Sequence, residues 1–151
     1  MALIDEAIIR AAQDHLDQDD SDAGGSGSPL IYHLMRVAAA VWIETGDEDM
    51  AAVAAMQRLY EDTATTDADL LAAGFSAKVR GGIAILTRDV GGGETFRAYI
   101  KRIGISDPDA IRIKIVELRE AIRSLGLTAI NRERCQKALR YLQEQLTIET
   151  V

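Results

Sequence analysis

The stretch AAMQRLYEDTATT, from Ala54 to Thr66, sets two adjacent carboxylates, Glu61 and Asp62, one turn after Gln57 and Arg58. Such a pair either closes a helix in open water or forms half of a phosphohydrolase site. Arg58 precedes Glu61 by three residues and Asp62 by four, so on a helix it reaches either one. As a solvated intrahelical ion pair that contact is worth roughly a few tenths of a kcal/mol. As a buried contact it reorganises the charge of a whole site.

Other chemistries find less support. No glycine is followed by Lys-Ser or Lys-Thr, so the phosphate-cradling P-loop is absent, and GGSGSP at 24–29 reads as a flexible loop. His-Glu-x-x-His does not occur, and two histidines with one cysteine make a poor zinc set. No serine sits in a nucleophile elbow.

The chain has 151 residues, 48% of them hydrophobic, which is enough for one domain with one core, 1–151. It contains no internal repeat. Seventeen Lys and Arg against 24 Asp and Glu give a net charge of −7 without a basic block, which argues against nucleic acid and anionic membranes as partners. The single Cys135 cannot form an intrachain disulfide and suits a reducing, cytoplasmic setting. MALIDEAIIR lacks the basic flank of a signal peptide. The longest apolar run, VAAAVWI at 37–43, is far shorter than the roughly 20 residues of a membrane span.

The elements that must position the acidic pair are all helices, because apolar residues recur at helical spacing and period-two alternation never persists. Leu3, Ile4, Ala7, Ile8, Ala11 and Ala12 mark a first helix, followed by an acidic loop over 17–28 closed by Pro29. A second helix, from about Leu30 to Glu44, is apolar on most faces and so central; Gly46 stops it. Asp47, Glu48 and Asp49 open a third helix that carries Met56, Leu59 and Tyr60 into Glu61-Asp62. Thr66 with Asp69 forms a capping box for a short helix ending at Gly74, and Ser76 caps the next. Gly81 and Gly82 inside that helix cost about 2 kcal/mol together against alanine, a concession that close packing of a neighbour would explain. After a glycine hinge at 90–93, Phe96, Tyr99, Ile100 and Ile103 line one helix face. Asp107 and Pro108 cap a long helix with Ile111, Ile115, Leu118, Ile122 and Leu125 inward and Gly126 as its stop; a last helix, from about Asn131, turns Leu139, Leu142 and Leu146 inward.

Four blocks in order, GSPLIYHLMRVAAAVW (27–42), AAMQRLYEDTATTDADLLAAGF (54–75), ILTRDVGGGETFRAYIKRI (85–103) and AIRIKIVELREAI (110–122), carry a resemblance. Together they resemble the HD-domain metal-dependent phosphohydrolases, in the small alarmone (ppGpp) hydrolase branch related to the hydrolase domain of RelA/SpoT proteins. The likeness covers 27–122 and implies an all-α, HD-domain-like helical bundle.

In that family the first block reads Gly-x-Pro-Tyr-x-x-His-Pro-x-x-Val-Ala, with a metal-binding histidine. Here Gly27, Pro29, His33, Val37 and Ala38 match, while Leu30 and Leu34 replace the tyrosine and proline. The resemblance thus makes His33 a metal position. The second block, His-Asp-x-x-Glu-Asp-Thr, keeps Glu61, Asp62 and Thr63 as the pair that activates or positions water, but Gln57 and Arg58 stand where the metal-binding His-Asp belongs. The last family ligand, the aspartate of Lys-x-x-Asp, falls on Glu117, and an asparagine common four residues later is Ala121.

A manganese or magnesium site needs converging oxygen or imidazole acceptors, whereas arginine offers only donors and a fixed positive charge. Arg58 therefore removes a ligand and stands as a tethered replacement for the metal, pairing with Glu61, Asp62 or Glu117. The segment before the Gly-x-Pro turn, basic in the alarmone branch, is the acidic DQDDSDAGG here and would repel a pyrophosphorylated nucleotide.

These departures imply a degenerate HD-domain protein without a cofactor, keeping a remnant pocket of His33, Gln57, Arg58, Glu61, Asp62 and Glu117 for a small phosphorylated ligand. The alternatives are a working manganese- or magnesium-dependent phosphohydrolase, with Glu61 and Asp62 catalytic and His33 and Glu117 on the metal, and a helical interaction module that forms homo-oligomers.

Overall fold

The computed structural model describes residues 2–19, 29–124 and 127–149, and their regular structure is entirely helical. In order these are α1 (Leu3–Asp14), α2 (Leu30–Thr45), α3 (Glu48–Met56), α4 (Leu59–Asp62), α5 (Asp67–Ala72), α6 (Ala77–Leu86), α7 (Phe96–Gly104), α8 (Pro108–Ile122) and α9 (Ala129–Glu149). No helix among the described residues is long and apolar enough to cross a membrane.

The central element is α3. Every residue from Met50 to Met56 is buried, and α1, α2, α6 and α8 pack around it. Its alanines keep the helix thin enough for four neighbours to approach, and Val53 fills the space opposite Gly82 of α6. A methyl group on Gly82 would lie 2.9 Å from Val53 Cγ2, whereas Gly81 faces open space. The close packing anticipated for the two glycines therefore belongs to Gly82 alone.

The caps act as their residue types require. Asp47 Oδ1 accepts from the Met50 N–H at 3.0 Å, Ser76 Oγ from Val79 at 3.2 Å and Asp107 Oδ1 from Ala110 at 2.9 Å. Thr66 and Asp69 form the reciprocal capping box. Gly46 and Gly74 leave their helices at φ +63° and +94°, a region open to glycine.

Three details differ from the sequence pattern. The third helix does not run unbroken into the acidic pair: it stops at Met56, and α4 begins only after Gln57 and Arg58. The Gln57 side-chain amide donates to the Ala54 carbonyl at 3.2 Å, the acceptor that the Arg58 N–H would take in a continuous helix. The glycine segment at 90–93 is a closed turn, with the Gly92 and Glu94 N–H groups donating to the Asp89 side chain and carbonyl at 2.9 Å each. The last helix starts two residues early and continues to Glu149. Leu125, Gly126 and most of the acidic loop lie outside the described residues.

Candidate functional site

After the break at the end of α3, the one-turn helix α4 packs against α6. Gln18, in the segment after α1, ties it down. Gln18 Nε2 donates to the Asp62 carbonyl at 2.7 Å while Gln18 Oε1 engages buried His15 at 2.6 Å, and the Thr63 hydroxyl closes the turn on the Leu59 carbonyl at 2.6 Å.

Beneath α4 lies a cavity of about 200 Å3. His33 of α2, Arg58 and Glu61 line one side, and Lys114 and Glu117 of α8 form the floor. Arg88, Phe96, Tyr99, Leu118, Ala121 and the α9 residues Asn131, Arg134 and Cys135 complete it. Two residues expected in the pocket are elsewhere. Gln57 is 1% exposed, turned back on its own helix and absent from the lining, and Asp62 reaches the site only through Arg58.

Arg58 Nε lies 2.6 Å from Asp62 Oδ2 and 4.0 Å from Glu61 Oε2. With Arg58 18% and Asp62 23% exposed, this is a largely buried pair and not a solvated helix-surface contact. Burial alone would lower the Arg58 pKa, but Asp62, with Glu117 and Glu61 behind it, holds it above the usual value. The guanidinium is a fixed cation. Glu61 is held separately, its Oε1 accepting the Arg88 backbone N–H at 2.8 Å.

On the floor, Lys114 Nζ donates to Glu117 Oε1 at 2.6 Å and stands 4.8 Å from the centre of the Tyr99 ring. The two side chains are 6% and 12% exposed. Burial pushes the Glu117 carboxyl up, yet Lys114, then His33 and Arg58, outweigh it and keep the carboxyl below its ordinary value. Glu117 and Tyr99 in turn outweigh the burial of Lys114 and raise its ammonium. His33 is lowered, first by burial and then by Arg36, Arg58 and Lys114 against an opposing Glu117, so its imidazole is neutral at neutral pH. Tyr99 is fixed by a 2.5 Å bond from its hydroxyl to the Leu86 carbonyl.

The loop carrying Arg88 is clamped by Arg102, which pairs with Glu94 at 2.8 Å and donates to the carbonyls of Ile85 and Thr87 at 2.8 and 2.9 Å. Four cationic side chains, Arg58, Arg88, Lys114 and Arg134, therefore face two carboxylates, Glu61 and Glu117, inside a protein whose net charge is −7. Among the described residues Arg88 and Arg134 make no ion pair. Such a cavity attracts anions.

The fit to a divalent ion is poor. His33 and Glu117 are the two donors among the positions that the sequence resemblance gives to a metal, one Glu117 oxygen is already held by an ammonium, and Arg58 brings a positive charge beside them. Among the described residues no group of three or more His, Cys, Asp or Glu is placed to hold a metal. Glu117 Oε2 is buried with no hydrogen-bond partner among the described residues.

Lys114, Arg88 and Arg134 escaped the sequence reading. Lys114 had a signal, since it precedes Glu117 by three residues and so shares its helix face. Arg88 and Arg134 had none, because only the fold brings the loop after α6 and the helix α9 to this cavity.

No family model and no curated protein matches the chain. Among the solved structures that match, that of a metazoan ortholog of SpoT, described as hydrolysing ppGpp and playing a role in starvation responses, superposes with a TM-score of 0.79 at 22% identity, covering 97% of this chain and 86% of that one. The chain thus shares the all-α fold of that structure.

Proposed function

We propose that the chain is a degenerate HD-domain protein that uses the cavity, without a metal, to bind a small phosphorylated ligand in a regulatory or ligand-sensing role in the cytoplasm. The observation that carries this reading is the surplus of cations around Arg58: the position inherited for a metal ligand holds a guanidinium in a largely buried pair with Asp62. Arg58 and Lys114 supply, as tethered charges, the positive potential that a divalent ion would otherwise bring, and they leave Arg134 and the terminal nitrogens of Arg88, whose Nε donates to the Glu94 carbonyl at 2.9 Å, to meet phosphate oxygens.

The test is calorimetric titration of pyrophosphate in EDTA, beside elemental analysis after incubation with manganese. Binding is expected in EDTA, weakened at least about tenfold by Arg88→Glu, with less than one manganese per chain in the wild type and gain of manganese in Arg58→Asp. Stoichiometric manganese in the wild type, or no pyrophosphate binding, overturns the reading.

One observation favours the second reading, a metal-dependent phosphohydrolase. Glu117 Oε2, which has no hydrogen-bond partner among the described residues, would serve a cation in a rearranged site with His33, while Glu61 positions water. Release of phosphate from nucleotide or pyrophosphate esters, abolished by EDTA, identifies that case.

A further inference from the structure

The cavity is too small for a whole organic ligand. At about 200 Å3 it lies below the roughly 300 Å3 at which small-molecule sites begin. A phosphate group fits, and whatever the phosphate is attached to must leave the cavity.

One neighbouring depression shares lining residues with it. The groove between α7 and α9, about 330 Å3, meets the cavity at Phe96 and Arg134, which belong to both. Those two side chains stack, the Arg134 guanidinium carbon lying 5.0 Å from the centre of the Phe96 ring, so the boundary is a cation resting on an aromatic face. The grooves beside α2 and beside α6 share no residue with the cavity.

The chemistry of the groove is sorted. Its floor is Ile100 and Ala138, its far wall is Tyr141, and its rim is Arg97, Lys101 and Lys137, with no carboxylate in the lining. Lys137 pairs with exposed Glu133, whereas Arg97 and Lys101, among the described residues, make no ion pair. Of the seven Lys and Arg side chains that make no ion pair among the described residues (Arg36, Arg88, Arg97, Lys101, Arg132, Arg134 and Arg140), four line the cavity or this groove.

Resting on the phosphate-binding reading above, we infer that the ligand is a phosphate monoester whose organic part is apolar and uncharged, an alkyl or aryl phosphate, with its head in the cavity and its tail over Phe96 in the α7–α9 groove. The cationic rim attracts the anionic head, and the apolar floor accepts the tail. A nucleobase suits the groove poorly, because its exocyclic N–H groups need acceptors and the side chains there offer mainly donors and hydrocarbon.

The test is calorimetric titration of orthophosphate, hexyl phosphate, phenyl phosphate and adenosine monophosphate on the wild-type chain and on Ala138→Phe, which fills the groove from its floor. Hexyl and phenyl phosphate are expected to bind at least about tenfold more tightly than orthophosphate, the gain that burying about two methylene groups provides. Ala138→Phe should abolish that gain and leave orthophosphate unchanged. Equal affinity for orthophosphate and its apolar esters overturns the inference and leaves the phosphate site standing. Tighter binding of adenosine monophosphate overturns the apolar class. Failure of all four to bind removes the phosphate-binding reading and the inference together. The wild-type series decides the matter even where Ala138→Phe fails to fold.

Discussion

Lys114 and Glu117 stand one turn apart on α8, both nearly out of water, and neither is tolerable there without the other. Lys114→Met leaves a buried carboxylate whose second oxygen has no hydrogen-bond partner among the described residues, and is expected to cost about 3–5 kcal/mol in urea unfolding at neutral pH. The double variant Lys114→Met, Glu117→Leu should recover most of that loss. The pH dependence separates the two states of the pair. In the wild type the Glu117 carboxyl is held below its ordinary value, so its stabilisation is complete above the unfolded pKa of about 4.3 and is lost as pH falls through the lower folded value. Without the ammonium, burial pushes the carboxyl up, and the single variant should gain stability relative to wild type as the solution is acidified. A loss under about 1 kcal/mol, with no change in the acid limb, would show that the carboxylate is solvated and the pair unimportant. At this scale the sequence disclosed which residues to inspect and not what each does. His33, Arg58, Glu61 and Glu117 converge on one cavity, while Gln57 and Asp62, adjacent to two of them in sequence, point elsewhere because the chain turns between α3 and α4.

At the scale of elements, helix starts and stops were legible because they are local. Asp47, Thr66, Ser76 and Asp107 cap through their own side chains, and Gly46 and Gly74 stop helices through their own φ. The interruption at Gln57-Arg58 was not legible, since neither residue is a helix breaker and the side-chain hydrogen bond to Ala54 that accompanies it leaves no mark in the sequence. Gly81 and Gly82 show how far identical residues diverge once a neighbour is present. Gly81→Ala adds a methyl group to open space on a helix and is expected to stabilise by about 0.5–1 kcal/mol. Gly82→Ala drives that methyl group into Val53 of α3 and should destabilise by about 1–3 kcal/mol. Urea midpoints that move in the same direction for both variants would show that α6 is not seated on α3 as described. Because α3 leads directly into the turn that presents Arg58, the Gly82 variant should also weaken pyrophosphate binding, whereas the Gly81 variant should not.

The whole molecule sets its charge against its site. A net charge of −7 gives no hint of an anion site when summed along the chain, yet folding gathers Arg58, Arg88, Lys114 and Arg134 from four separate stretches into one cavity. That concentration of like charge is a standing repulsion, and an anionic ligand relieves it. Pyrophosphate at about a hundred times its dissociation constant should therefore stabilise the fold by about 2.7 kcal/mol, a rise in Tm of roughly 5–10 °C for a chain of this size. Salt discriminates between the contributing charges. Arg134 is exposed and Arg88 half-buried, so both are screened as the Debye length shrinks from about 10 Å at 0.1 M to about 3 Å at 1 M salt, whereas Lys114 in the floor is screened far less. The Tm rise should shrink at about 1 M sodium chloride without vanishing, and what remains should be insensitive to Arg134→Glu. A rise that is independent of salt, or that sulfate and an uncharged sugar produce equally, would mean that excluded solute and not the cationic cavity stabilises the protein.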